Sequence, residues 1–353
     1  MTAMSAPASR RLSFDVQYHQ YRHGLRPPRR PRGRWAWAIS GIIVIALMIA
    51  GVATFLNRPR AVQALPMRVA TRTFSLSTAI TSLSIQSYGA DVRVTGGGSG
   101  TQVTDQIGFD PAEGPVPATE DSVSQGQLSI AVPSCAFKAC VEWITVPSGV
   151  FVTVVSEGGN VAVSQIAGAR LDSGGGSVTA TSVSGPLTIT SAGGEQALQG
   201  INGSLTDESG GNQVAVADVT GSSAVIITDG GLLTAAGLSV RSAVISTGGN
   251  GARVAFATAP AMADITTDGG RADVRVPGGP YALTADSEGG RELVTIPTSP
   301  SAKSTLDVIT GGSALVVEPT TGSGASLPVN PSFPPDQYAV PVVPPVPPAP
   351  PAP

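Results

Sequence analysis

Between residues 148 and 319 apolar side chains fall on every second position, in short runs that stop at glycines. One unit places Val161, Val163, Ile166 and Leu171 on the apolar phase. The next places Val178, Ala180, Val183, Leu187 and Ile189 there. Alternation with period two is the mark of a strand buried on one face. Nine Gly-Gly pairs recur at near-regular intervals, with first members at 158, 174, 193, 210, 230, 248, 269, 289 and 311. A second set of bends, at Gly168, Gly185, Gly203 and Gly221, lies between them. Each unit therefore reads as two short strands and two turns. The spacing of about 19 residues is that of a stacked repeat.

Two folds share this pattern, a parallel β-solenoid and an antiparallel meander with Gly-Gly hairpin turns. The solenoid is favoured, because equivalent residues recur once per unit, as stacked layers require. Nine coils at ~4.8 Å each make a rod on the order of 40 Å. Val163, Val178, Ile189, Val216 and Ile227 are expected in one core, with Thr179 and Thr188 outside. Residues 73–147 form a first β region, in which Leu83, Ile85, Val92, Val94, Leu128, Ile130 and Val132 keep the alternation.

The pattern breaks at both ends. Trp35 to Leu56 is a 22-residue stretch without a charge, and ~20 apolar residues cross a bilayer as a helix. Residues 1–34 carry eight arginines against Asp15, and residues 61–353 carry 11 basic and 23 acidic side chains. A +7 arm before the span and a −12 body after it predict a cytoplasmic amino terminus and an extracytoplasmic body. The stretch exceeds the 7–15 residues of a cleavable signal, so a retained anchor is expected. The division is then a basic arm at 1–34, a transmembrane helix at 35–56, a stalk at 57–72, the first β region at 73–147, repeats at 148–319, and a tail at 320–353. The last 28 residues hold 12 prolines, which predicts an extended spacer.

Composition narrows the chemistry. The chain has 13% charged and 5% aromatic residues, with 43 Gly and 30 Pro. Its two histidines, His19 and His23, lie in the arm. A body without histidine excludes Ser-His-Asp, Cys-His and His-ligated zinc sites. No catalytic residue, cofactor site or metal site is expected. The carboxylates Asp207, Glu208, Asp229, Asp268 and Glu288 precede Gly-Gly pairs and read as turn caps. The segment from Gly269 to Val274 echoes a calcium-binding repeat only faintly, since it occurs once and lacks a glycine. Cys135 and Cys140 lie five positions apart in a compartment where disulfides persist, so a bond between them is expected.

The runs Ser84-Ile85, Gly89 to Val94 and Cys140 to Val152, with the repeats that follow, resemble the bacterial putative-adhesin β-strand-repeat family, a domain of unknown function. The resemblance covers most of 75–318. It implies an all-β, right-handed parallel β-solenoid outside the membrane and brings no active-site residues. The arginine-heavy, proline-tailed style points to an actinobacterial source. The expected function is a non-catalytic adhesin-like or structural module at the cell envelope, with a wall polysaccharide or envelope protein as partner and no nucleic acid. A polysaccharide-acting solenoid enzyme and an envelope sensor signalling through the span are the alternatives.

Overall fold

Short runs of β-branched residues cut by glycine favour strands over helices, and in the computed structural model every regular element among the described residues is a strand. It describes residues 68–109, 116, 118–134 and 140–320. The expected arm, span, residues 57–67 of the stalk, and the tail from 321 lie outside the described residues, while residues 68–72 of the stalk belong to a strand. Among the described residues no helix is long and apolar enough to cross a membrane.

The strands β1 to β23, numbered in chain order, form one mixed sheet. Two parallel ladders run through it. The first joins β6 (Gln127–Val132), β2 (Ser82–Ser87), β8 (Phe151–Ser156), β10 (Gly168–Ser173), β12 (Leu187–Ser191) and β14 (Leu205–Ser209). It continues through the later parts of β15 (Val214–Thr228) and β16 (Leu233–Thr247) to β18 (Met262–Thr267), β22 (Thr305–Thr310) and β20 (Ala282–Asp286).

The second ladder joins β7 (Cys140–Thr145), β3 (Asp91–Thr95), β9 (Val161–Ser164), β11 (Val178–Val183) and β13 (Gln196–Asn202). It continues through the earlier parts of β15 and β16 to β17 (Ala252–Phe256), β19 (Ala272–Val276), β23 (Leu315–Pro319) and β21 (Glu292–Val294). Antiparallel pairs extend both at the amino-terminal end. There β5 (Glu120–Ser124) lies on β6, while β4 (Thr101–Phe109) lies between β7 and β1 (Arg68–Leu76).

Chain order is broken twice. The β2/β3 layer sits between the β6/β7 and β8/β9 layers. The β22/β23 layer sits between β18/β19 and β20/β21. Neither interchange is visible in the repeat spacing.

Register carries the same side chain position through successive layers. In the first ladder Ile85, Val154, Leu171, Ile189, Asp207, Ile226, Ile245, Ile265 and Val308 are aligned and buried. Val163, Val178, Ile189 and Val216 lie in the core as expected, but Ile227 does not, and its neighbour Ile226 takes the place. The run Ala224-Val225-Ile226-Ile227 has no alternation of its own, so its phase is set by Thr228. A shift of one residue exchanges the faces.

Thr228 belongs to a ladder of hydroxyls. Ser87, Ser156, Ser173, Ser191, Ser209, Thr228, Thr247, Thr267 and Thr310 stack in register and are buried. Most close the turn that follows. Ser156 Oγ donates to the Gly159 carbonyl at 3.2 Å, Ser173 to Gly176 at 3.1 Å, and Thr228 to Gly231 at 3.0 Å. Thr228 and Thr267 rather than Asp229 and Asp268 thus cap their turns, and Asp207 is buried in the core instead, which corrects the expectation for these three carboxylates.

The paired glycines do two jobs. Gly230 has φ of +87°, and a Cβ on Gly231 would sit 1.9 Å from the Asn212 carbonyl oxygen. The first needs the left-handed region and the second lets adjacent layers close up.

Candidate functional site

Carboxylates are the reactive groups this body has to offer, and two regions hold them in unusual surroundings. Asp207 is 0% exposed, aligned between Ile189 and Ile226 in an otherwise aliphatic column. Burial pushes its carboxyl up to about 7, against a lowering by the nearby Gln196 amide. Neither side chain makes a hydrogen bond of regular geometry. An acid held this way stays mostly neutral until near pH 7.

The second region crosses β1, β4 and β7. Arg72, Asp105 and Glu142 are consecutive cross-strand partners. The Arg72 guanidinium donates to Asp105 Oδ2 from Nε at 3.1 Å and from Nη2 at 2.8 Å, and also to the Thr119 carbonyl at 3.1 Å. Glu142 lies on the inner side at 1% exposure. Desolvation, then its contact with Asp105, pushes its carboxyl up to about 9. Neutral Glu142 can donate its proton toward Asp105 Oδ1, which otherwise has no partner. The Arg72 side chain that covers Asp105 is 48% exposed, while the carboxyls of Asp105, Glu142 and Asp207 are buried. Their part is in folding.

The outward surface offers a different arrangement. A cleft of about 470 Å³ is lined by Leu232, Gly251, Ala252, Arg253, Arg271, Asp273 and Arg275. Arg253 on β17 is in register with Asp273 on β19. Arg271 donates to Asp273 Oδ1 from Nε at 2.8 Å and from Nη2 at 2.6 Å, while Arg253 Nε lies 4.0 Å from Oδ2. Asp273 therefore orients Arg271 and leaves three guanidinium charges against one carboxylate in the lining, with Glu318 on β23 the register partner of Arg275. The Arg253 and Arg271 side chains are 62% and 60% exposed. At Gly251 a Cβ would come 2.8 Å from the Arg271 carbonyl oxygen, so glycine there lets the neighbouring turn approach.

The sequence does not mark this cleft, because its arginines are scattered along the chain. The 20-residue step from Arg253 to Asp273 equals the layer step from Ala252 to Ala272, and that coincidence is the signal that could have found it.

Cys140 is buried at the start of β7 and no cysteine among the described residues is free. Cys135 lies outside the described residues, so the expected bond stays an expectation. Asp229, Asp268 and Glu288 are exposed at turns, and Glu208 faces outward beside the buried Asp207. The structure does not bring them together with the cleft. Among the described residues no group of three or more His, Cys, Asp or Glu is placed to hold a metal ion.

No family model matches the chain, and no curated relative does. Several solved structures are similar in part. One is described as a "putative adhesin" from Parabacteroides distasonis ATCC 8503, at 14% identity, covering 71% of this chain and 98% of that one, with a TM-score of 0.40. Another "putative adhesin", from Parabacteroides merdae ATCC 43184, has 12% identity over 71% and 97%, with a TM-score of 0.40. A "putative lipid binding protein" from Parabacteroides distasonis ATCC 8503 has 10% identity over 71% and 97%, with a TM-score of 0.39. These organisms give the expected actinobacterial origin no support. Likeness of this degree leaves ligand and activity to be argued from this chain's own residues.

Proposed function

We propose that the chain is a single-pass membrane protein whose extracytoplasmic body is a right-handed parallel β-solenoid that binds envelope polymers without catalysis. The charge step across residues 35–56 supports the topology, and the two long parallel ladders, broken in register only between β16 and β17, support the solenoid. The observation that carries the functional reading is the division of acids. The carboxyls with raised affinity for protons, Glu142 and Asp207, are sealed in the core, while the outward faces repeat one position from layer to layer. Thr188, Thr206 and Val225, for example, are aligned on successive strands. A surface that presents similar contacts many times suits weak, additive binding along a polymer.

The test is incubation of the protein with cell-wall and capsular polysaccharides. Saturable binding without new products is the expected result. Product release that disappears when Asp229 or Asp268 is replaced would move the chain to the enzyme class.

A further inference from the structure

The described part of the body holds nine arginines and one lysine, and three of the arginines line one cleft. Residues 61–353 carry a formal charge of −12, so a cluster of like cations is not a by-product of a basic surface. Arg253, Arg271 and Arg275 come from two adjacent layers, on β17 and on or just before β19. Close cations repel one another, and Asp273 compensates only part of that charge. Glu318 on β23 is the register partner of Arg275, so three guanidiniums face two carboxylates and one positive charge remains in excess beside a concave space of about 470 Å³, within the range of ligand pockets.

The geometry points to an anionic glycan, bound through the oxyanions of its repeating units, as the ligand of this cleft; the assignment rests on the polymer-binding reading above. Guanidinium groups match carboxylate and phosphate oxygens in pairs. Arg271 is already held in orientation by Asp273, which lowers the ordering cost of binding. Arg253 and Arg275 are diagonal neighbours on adjacent strands, offset by two residues and so roughly 8 Å apart at the backbone, and they can meet charges on separate sugar units. Leu232, 38% exposed at the cleft edge, offers an apolar surface for the C–H face of a sugar ring. The lining has no aromatic ring, whereas single-stranded nucleic acid is gripped by stacking on aromatic side chains.

Two sources share this chemistry, a uronic acid polymer with carboxylates and a polyol phosphate polymer with phosphodiesters. The full chain in detergent is titrated with polygalacturonate, poly(glycerol phosphate) and neutral dextran, at low and high salt. The expected result is saturable, salt-sensitive binding to one or both anionic polymers, with the stronger of the two naming the source. The R253Q/R275Q double variant changes two solvent-facing positions and should melt like the wild type. It should bind the anionic polymer about tenfold or more weakly, with a shallower salt dependence. Unchanged affinity in the variant overturns the cleft assignment while polymer binding stands. Preference for dextran does the same. Failure to bind any of these or the envelope polysaccharides removes both readings.

Discussion

Glu142 on β7 and Asp105 on β4 are direct cross-strand partners, each with 1% of its surface exposed. The carboxyl of Glu142 is pushed from 4.5 up to about 9. A raised acid pKa means that the folded state holds a proton the unfolded chain releases. Stability is then fully present below the unfolded value and lost as pH rises toward the folded one. Above pH 7 Glu142 should lower stability by roughly 1.4 kcal/mol per pH unit. Urea unfolding between pH 7.5 and 8.5 should show this slope in the wild type and little of it in Glu142→Gln.

Asp207 covers a lower window, from 3.8 to about 7, with the same sign. Asp207→Ile restores the column formed by Ile189 and Ile226. Replacing a buried ionisable group by a well-packed apolar one commonly stabilises by about 1–4 kcal/mol. The variant should therefore unfold at higher denaturant at pH 7 and lose the part of the pH dependence below that. A less stable Asp207→Ile protein would contradict this reading of the column.

Ile226 and Ile227 separate inside from outside within one strand. Ile226→Asp should cost several kcal/mol by placing an unpaired charge in the core. Ile227→Asp faces outward and should cost less than about 1 kcal/mol. Thermal melting of the pair checks the register, and equal losses would contradict it.

For the cysteines, oxidation of Cys135 to Cys140 is expected. Intact mass of the non-reduced protein should lie two hydrogens below the reduced mass, with no alkylation under native conditions. A fully alkylated pair would remove the bond. Reduction should cost little stability, because so short a loop restricts the unfolded chain only slightly.

The topology is open to a reporter. An enzyme that works only outside the cytoplasm, fused after Pro353, should be active, and a strictly cytoplasmic one should be silent. The reverse pattern would overturn the anchor.

The all-β class and the two-strand unit were legible because glycine spacing and alternation are local properties. Val161 and Val178 are one layer apart and 17 positions apart in sequence. Asp207 was misread because it stands beside Glu208 ahead of a Gly-Gly pair, like its exposed counterparts. Only the register showed that the hydroxyl of each turn occupies the inner phase. The Arg72–Asp105–Glu142 row was hidden because antiparallel β4 joins residues separated by long stretches of chain. The arginine cleft was hidden because alternation says which residues face outward, but not which of them share a surface.

The interchanged layers at the two ends each act as a clasp on their own end of the stack. In an open array the last repeat can be removed and the rest remains whole. Here the final strands, β22 and β23, hold β20 and β21 onto the stack. Cutting the chain before Thr305 would detach the layer that precedes the cut as well as the one that follows it. At the other end β2 and β3 precede β6 to β9 in the chain and must wait for them before either of their edges is paired. Such a body has a fixed number of layers, since a new repeat cannot be added at either end without undoing a neighbour. Its assembly depends on long-range closure, which slows folding.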